Sequence, residues 1–334
     1  MKTLVIAAAG LGLSLTSASA QVARYGARLD GFEYPFKTES YDFSGQNQAL
    51  SMTFMDVAAA EPNGQTVVLL HGKNFCAATW EETITKLTGA GYRVIAPDQV
   101  GLCKSTKPEH YQYSFHALAA NTKALLDARG IEKATVIGHS MGGMLATRFS
   151  LMYPEAVDRL VLVNPIGLED WKADGVPYQP INEAFAAEKK TSFDSIKAYQ
   201  EKFYYTAGWK PQYDRWVEMS AGMYAGEGGE LVAWNQALTS DMVFTQPVVH
   251  EFDKLKVPTL LIVGTQDKTA PGANRAPDDI AAKLGDYTKL GKAAAEAIPD
   301  AELVEFDDLG HSPQIEDPQR FHETLLDKLS AARQ

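Results

Sequence analysis

Cysteine, positive charge and long apolar runs are what this sequence has least of. Its two cysteines, Cys76 and Cys103, stand in no cluster of metal-ligand spacing, and no glycine-rich phosphate loop is present. Neither a metal nor a cofactor is therefore expected. Lys and Arg number 31 against 42 Asp and Glu, a net charge of −11 without a basic run. That balance argues against nucleic acid and against an anionic membrane surface as partners. Beyond the opening residues nothing approaches the ~18 unbroken apolar residues of a membrane span. Internal repeats and linkers are missing too, so the chain reads as one domain carrying an insertion.

What is present begins with a distinctive start. Lys2 precedes an apolar run over residues 4–15, and Ala18 and Ala20 stand in A-x-A order before Gln21. This is the pattern of a secretory leader over residues 1–20, with a buried first helix as the alternative. It sets the expectation of a mature protein in a periplasm or outside the cell. Residues 21–334 suffice for a large α/β core with a smaller cap.

Taken in order, residues 21–35 read as a loosely attached arm. Alternating runs over 39–44 and 49–56 flank Gly45-Gln46-Asn47, good hairpin chemistry. Residues 66–70 are continuously apolar, as in a strand buried on both faces. Thr79 and Glu82 have capping-box spacing before a helix that carries Trp80, Ile84 and Leu87 on one side. Further strands are read at 93–97, 134–137, 160–163, 259–263 and 302–306, with Ser114 capping an intervening helix that Gly130 closes. Alternation of this kind implies a parallel sheet. It breaks over residues 168–250, where Trp171, Trp209, Trp216 and Trp234 gather with many tyrosines. These rings read as the core of a helical subdomain, as the underside of a lid, or as both.

The organising stretch is a strand, Thr135-Val136-Ile137, followed by Gly138-His139-Ser140-Met141-Gly142. A serine at the tip of a tight strand-to-helix turn needs neighbours without side chains two residues away. The helix behind it offers free N–H groups. Ser140 as a plain helix cap is the competing reading. Open parallel sheets bind ligands beyond the carboxyl ends of their strands. The loops there carry His71-Gly72-Lys73, Ser140, Asp267 and His311. A hydroxyl becomes a nucleophile when an imidazole takes its proton and a carboxylate holds that ring.

His71-Gly72 after a strand, Asp98-x-x-Gly101, the Gly138 to Gly142 turn, Gly264-x-x-Asp267 and Gly310-His311 before a helix together resemble the α/β-hydrolase superfamily, in its lid-bearing branch. The resemblance covers essentially all of residues 21–334. It implies an α/β architecture, the α/β-hydrolase fold: a mostly parallel eight-stranded sheet flanked by helices, with a helical cap inserted after the sixth strand. The core would span 21–167 and 251–334, the cap 168–250. It further implies Ser140 as nucleophile, His311 as general base and then acid, and Asp267 as the orienting carboxylate. The oxyanion hole would be the main-chain N–H groups of Met141 and Lys73. Glu169 and Asp170 compete with Asp267, because some relatives draw the acid from the preceding loop. Asp98 is expected to fix its own loop, and His71 and His139 to serve backbone geometry.

Where relatives often read G-x-G-x-S, this chain reads Gly101-Leu102-Cys103-Lys104-Ser105, while Cys76 sits in the oxyanion loop of the neighbouring strand. A Cys76–Cys103 disulfide is the expectation, two buried free thiols the alternative. Serine at the nucleophile position sets aside the members that displace halide or open epoxides, which use a carboxylate there. The remaining activities are ester, thioester and lactone hydrolysis, carbon–carbon bond hydrolysis and haloperoxidase-like chemistry. The first expectation is hydrolysis of a small-molecule carboxylic ester with an apolar acyl group, through an acyl-enzyme. A ligand-binding or sensor protein on the same fold is the expectation from a different class.

Overall fold

Val67, Val68, Leu69 and Leu70 have no polar face to offer water, and all four are fully buried. In the computed structural model, which describes residues 23–331, they form the central strand β3 (Thr66–Leu70). The leader-like residues 1–20 lie outside the described residues. The other strands are β1 (Thr38–Gly45), β2 (Gln48–Val57), β4 (Arg93–Pro97), β5 (Ala134–His139), β6 (Val157–Val163), β7 (Thr259–Gly264) and β8 (Ala301–Phe306). They form one eight-stranded sheet in the order β1-β2-β4-β3-β5-β6-β7-β8. β1 and β2 run antiparallel and every pair from β4 to β8 is parallel. The β1–β2 turn uses Gln46 and Asn47 at φ 50° and 61°, as a two-residue hairpin turn requires.

Helices cover both faces: α1 (Glu81–Gly89), α2 (Phe115–Ala128) and α3 (Met141–Met152) in the first part of the chain. After β6 come α4 (Ile181–Glu188), α5 (Phe193–Phe203), α6 (Asp214–Ala225) and α7 (Gly229–Thr245), an all-helical insertion before β7. The last are α8 (Asp278–Ala281), α9 (Tyr287–Ala297), α10 (Pro313–Glu316) and α11 (Pro318–Ala331). The strand pleat divides the core. Val67 and Leu69 pack with Ile84, Leu87, Phe321 and Leu325 on one face, and Val68 and Leu70 with Leu118, Leu125, Leu145 and Phe149 on the other. Among the described residues no helix is long and apolar enough to cross a membrane.

Ser114 caps α2 as its sequence indicates, its Oγ accepting from Ala117 N at 3.0 Å. The Thr79–Glu82 capping box does not form. Residues 77–80 make a 3₁₀ turn, Thr79 Oγ1 donates to Cys76 O at 2.7 Å, and α1 begins only at Glu81. The extra turn places Thr79 inside a helical segment instead of ahead of it. The arm expected to be loose is also packed. Leu29 is fully buried, Tyr25 N donates to Gly222 O at 2.9 Å, and Tyr34 donates to Asp98 at 2.6 Å. Gly226 makes this docking possible, since a Cβ there would meet Tyr25 O at 1.4 Å.

One buried contact ties the two helices on the first face together. His322 of α11 shares a hydrogen bond with Thr83 of α1, Nε2 to Oγ1 at 2.8 Å. Burial lowers its pKa to about 4. The folded state therefore keeps this ring neutral between pH 6.5 and 4, where the unfolded chain protonates it. Stability from this site is complete above pH 6.5 and is lost as pH falls toward 4, up to roughly 3 kcal/mol. His322→Gln is expected to flatten the fall of the urea midpoint between pH 7 and pH 4.5; an unchanged slope would show that the acid sensitivity lies elsewhere.

Candidate active site

The strand order 4-3-5 makes β3 the point at which successive connections leave in opposite directions, so a crevice opens beyond β3 and β5. Ser140 sits there, between the end of β5 and the start of α3, with φ 57° and ψ −124°. Its side chain caps no helix amide, which removes the plain-cap reading. A Cβ on Gly138 would meet Gly142 O at 2.1 Å, and one on Gly142 would meet Leu70 O at 2.0 Å. The glycine spacing thus lets the elbow lie directly on the end of β3. Gly72 is also close, a Cβ there falling 2.8 Å from Ser140 Cβ, so the loop bearing Lys73 passes beside the serine.

His311 and Asp267 arrive from the ends of β8 and β7. Nδ1 of His311 bonds Oδ2 of Asp267 at 2.6 Å, and both side chains are fully buried. Asp267 is held in turn: Asn164 Nδ2 donates to its Oδ2 at 3.1 Å and Thr269 N to its Oδ1 at 2.7 Å. The other nitrogen of His311, Nε2, is buried without a hydrogen-bond partner among the described residues. The competing carboxylates are engaged elsewhere. Glu169 accepts from Trp171 Nε1 and Gly285 N, both at 3.0 Å, and Asp170 bonds His250 at 2.9 Å. Asp98 fixes its neighbourhood by accepting from Ala77 N, Lys104 N and Tyr34.

His71 and His139 act through their rings as well as through their place in the motif. His71 Nδ1 donates to Gly72 O at 2.8 Å while Nε2 accepts from Gln99 N at 3.1 Å. His139 Nε2 donates to the carbonyl of His311 at 2.8 Å. Burial pushes both pKa values down, His139 furthest, with the nearby His311 charge adding to it. Both rings therefore stay neutral, and the partners assign the tautomer of each.

Two residues at this centre gave no signal as site residues in the sequence. Asn164, the residue before Pro165, adopts φ 35° and clamps β6 to β7, accepting from Gly264 N at 2.8 Å as well as holding Asp267. Tyr204, at the end of α5, stacks on the His311 ring with centroids 4.7 Å apart, and its hydroxyl accepts from Asn74 Nδ2 at 3.1 Å. The insertion thus reaches the histidine directly. It is also fastened to the loop after β3 by Lys73 Nζ and Glu188 Oε1 at 2.9 Å, with Tyr224 donating to the other Glu188 oxygen at 2.7 Å.

A cavity of about 220 Å³ opens over Ser140, lined by Lys73, Asn74, Tyr199, Tyr204, Phe244 and Arg275 among others. A second, of about 230 Å³, adjoins it across Lys73, Asn74 and Tyr199. Its wall includes Cys76 and Cys103, whose sulfurs are bonded at 2.09 Å. Cys103 has φ 52°, the left-handed conformation that glycine adopts without strain.

Comparison with known proteins agrees with this fold. The alpha/beta hydrolase fold family matches residues 65–318. A solved structure from Pseudomonas aeruginosa PAO1, described as a probable hydrolytic enzyme, is 59% identical, with a TM-score of 0.91 over 92% of this chain and 98% of that one. A 2-hydroxy-6-oxononadienedioate/2-hydroxy-6-oxononatrienedioate hydrolase from Comamonas testosteroni is 28% identical over 280 residues, 80% of this chain and 88% of its own length. A 2-hydroxy-6-oxo-6-phenylhexa-2,4-dienoate hydrolase from Burkholderia cepacia is 27% identical over the same shares of the two chains. With the family matched across most of its length and a serine elbow at the crevice of the sheet, the chain belongs to the alpha/beta hydrolase fold family and is a hydrolase.

Proposed function

We propose that the protein hydrolyses a carboxylic ester through a covalent acyl-serine on Ser140. The observation that carries this reading is the buried 2.6 Å contact of His311 with Asp267, which leaves Nε2 unpartnered among the described residues on a ring 4.9 Å from that of His139 in the elbow. In this reading His311 Nε2 takes the proton of the Ser140 hydroxyl as its oxygen attacks the carbonyl. Asp267 stabilises the imidazolium that results. The N–H groups of Met141 and Lys73 receive the oxyanion, each contributing on the order of 3 kcal/mol to the transition state. Collapse of the tetrahedral adduct returns the proton to the leaving alcohol, and water, activated by the same ring, releases the acid. An ester asks for one acid–base residue, which this site supplies.

A second reading is carbon–carbon bond hydrolysis, favoured by the names of the curated relatives that match about four fifths of the chain. There the leaving group is a carbanion, so the substrate must carry a conjugated enol or dienol to hold the electron pair. The two readings separate on substrate. A fluorophosphonate probe is expected to label Ser140 alone, and the labelled enzyme should lose turnover of p-nitrophenyl esters of graded acyl length. Labelling together with turnover of 2-hydroxy-6-oxo-6-phenylhexa-2,4-dienoate, but of no ester, would move the second reading to the front. Absence of labelling in folded protein would overturn both and favour the binding-protein reading. Export, with cleavage before Gln21, belongs to the same proposal and rests on Lys2, the apolar run over 4–15 and Ala18-x-Ala20.

A further inference from the structure

Three charged residues line the cavity over Ser140: Lys73, Asp241 and Arg275. Lys73 is neutralised by Glu188, and Asp241 meets the Tyr178 hydroxyl while its Oδ1 is buried without a hydrogen-bond partner among the described residues. Arg275 has no carboxylate partner among the described residues. Its contacts are neutral: Nε to Pro177 O at 3.4 Å, Nη1 to Gln179 Oε1 at 3.3 Å, and the Phe244 ring with its centroid 5.7 Å away. Both hydrogen bonds are long, and Nη2 makes none among the described residues. This is unusual company for a half-buried guanidinium in a chain with 42 acidic residues against 31 basic ones. Burial acts on its ionisation with no neighbouring carboxylate to offset it.

The local backbone makes room for this placement. Gly272 has φ +86°, and a Cβ on it would fall 2.6 Å from Arg275 Nη2, so the guanidinium occupies the space that a side chain would fill. Thr269 lies on the same wall. It is 5% exposed, its Oγ1 has no hydrogen-bond partner among the described residues, and its N–H is fixed on Asp267. The segment after β7 that supplies Asp267 thus also brings an unpaired cation to the cavity of the serine, with an unpaired hydroxyl buried in the same wall. A guanidinium offers a planar fork of N–H groups that matches the two oxygens of a carboxylate.

We propose that the Ser140 cavity takes a carbonyl substrate bearing a free carboxylate, with Arg275 as the residue that anchors this carboxylate and Thr269 Oγ1 as a further donor. The inference rests on reading Ser140 as the nucleophile, because that reading makes this cavity the substrate site. It names a substrate class, half-esters or keto acids, that the ester reading leaves open.

Binding tests it without turnover. Calorimetry with the full-length Ser140→Ala protein would compare monomethyl glutarate with dimethyl glutarate, which differ in one charged group. The half-ester is expected to bind about ten- to a hundredfold more tightly. Adding Arg275→Gln should abolish that preference, and Arg275→Lys should restore part of it, since charge returns without the fork. A merely structural Arg275 would weaken both ligands and leave their ratio unchanged. Equal affinities in Ser140→Ala, binding of neither ligand, or a preference that survives Arg275→Gln would each overturn the proposal. Fluorophosphonate labelling of the unsubstituted protein separates this from the catalytic reading. Labelling without a carboxylate preference sinks the anchor alone, and a preference without labelling sinks the triad alone.

Discussion

Ser140→Ala is expected to leave the unfolding midpoint almost unchanged and to lower kcat by about four to six orders of magnitude. The first half follows from the geometry of the elbow. The hydroxyl caps no helix amide and has no hydrogen-bond partner among the described residues, so alanine removes one oxygen and no structural contact. The second half follows from the role proposed for that oxygen. His311→Ala should cost a similar amount, and the double variant should be little worse than either single one, because the two residues act as a unit. Asp267→Asn should cost about 10⁴. Asp267 accepts from His311 Nδ1, the Asn164 side-chain Nδ2 and the Thr269 backbone N–H, so an amide NH₂ introduced there must face a donor or force the ring into the wrong tautomer. Steady-state kinetics on the best ester, with thermal unfolding of each variant, check all of these. A Ser140→Ala enzyme within tenfold of the parent would remove the serine from the mechanism.

Gly142→Ala should abolish the stable fold, or cost about 4 kcal/mol or more where soluble protein is recovered. The added Cβ would lie 2.0 Å from Leu70 O, 2.6 Å from Leu70 C and 2.8 Å from His71 O. All three are main-chain atoms at the end of the central strand, so no rotamer change relieves the clash. α3 would have to lift off β3, opening the packing of Leu145 and Phe149 beneath it. Gly89→Ala is the control. It lies in α1, nothing stands within 4 Å of its added Cβ, and the change should be neutral or slightly stabilising. Soluble yield and the unfolding midpoint measure the difference, and a Gly142→Ala protein as stable as Gly89→Ala would mean that the elbow can rest elsewhere on the sheet.

Much of this architecture is legible in the chain because its signals are local. Five apolar residues bounded by turns identify β3, and Ser114 marks a helix start that needs only its own amides. The elbow is legible for the same reason, since Gly138, Ser140 and Gly142 answer to the sterics of one turn. The Thr79–Glu82 spacing fails as a guide because a 3₁₀ turn intervenes, and spacing alone does not distinguish that turn from the helix it precedes. The arm around Tyr25, Leu29 and Tyr34 lacks any period, so nothing local announces that α6 carries glycines able to receive it. Asn164 and Tyr204 escape notice because their partners, Asp267, Asn74 and His311, are distant in sequence and lie on other elements.

The sequence by itself determined the succession of strands and helices, the serine turn with its two glycines, and the order in which serine, aspartate and histidine follow one another. Each of these depends on backbone sterics or side-chain periodicity within a few residues. Only the tertiary structure decided which carboxylate meets His311, which aromatic ring lies over it, which ion pair fastens the helical insertion to the loop after β3, and that Arg275 faces the serine's cavity without a counter-charge. Those outcomes depend on where separate strand ends and an inserted helical layer come together, and that is fixed by packing across the sheet and not by any one stretch of chain.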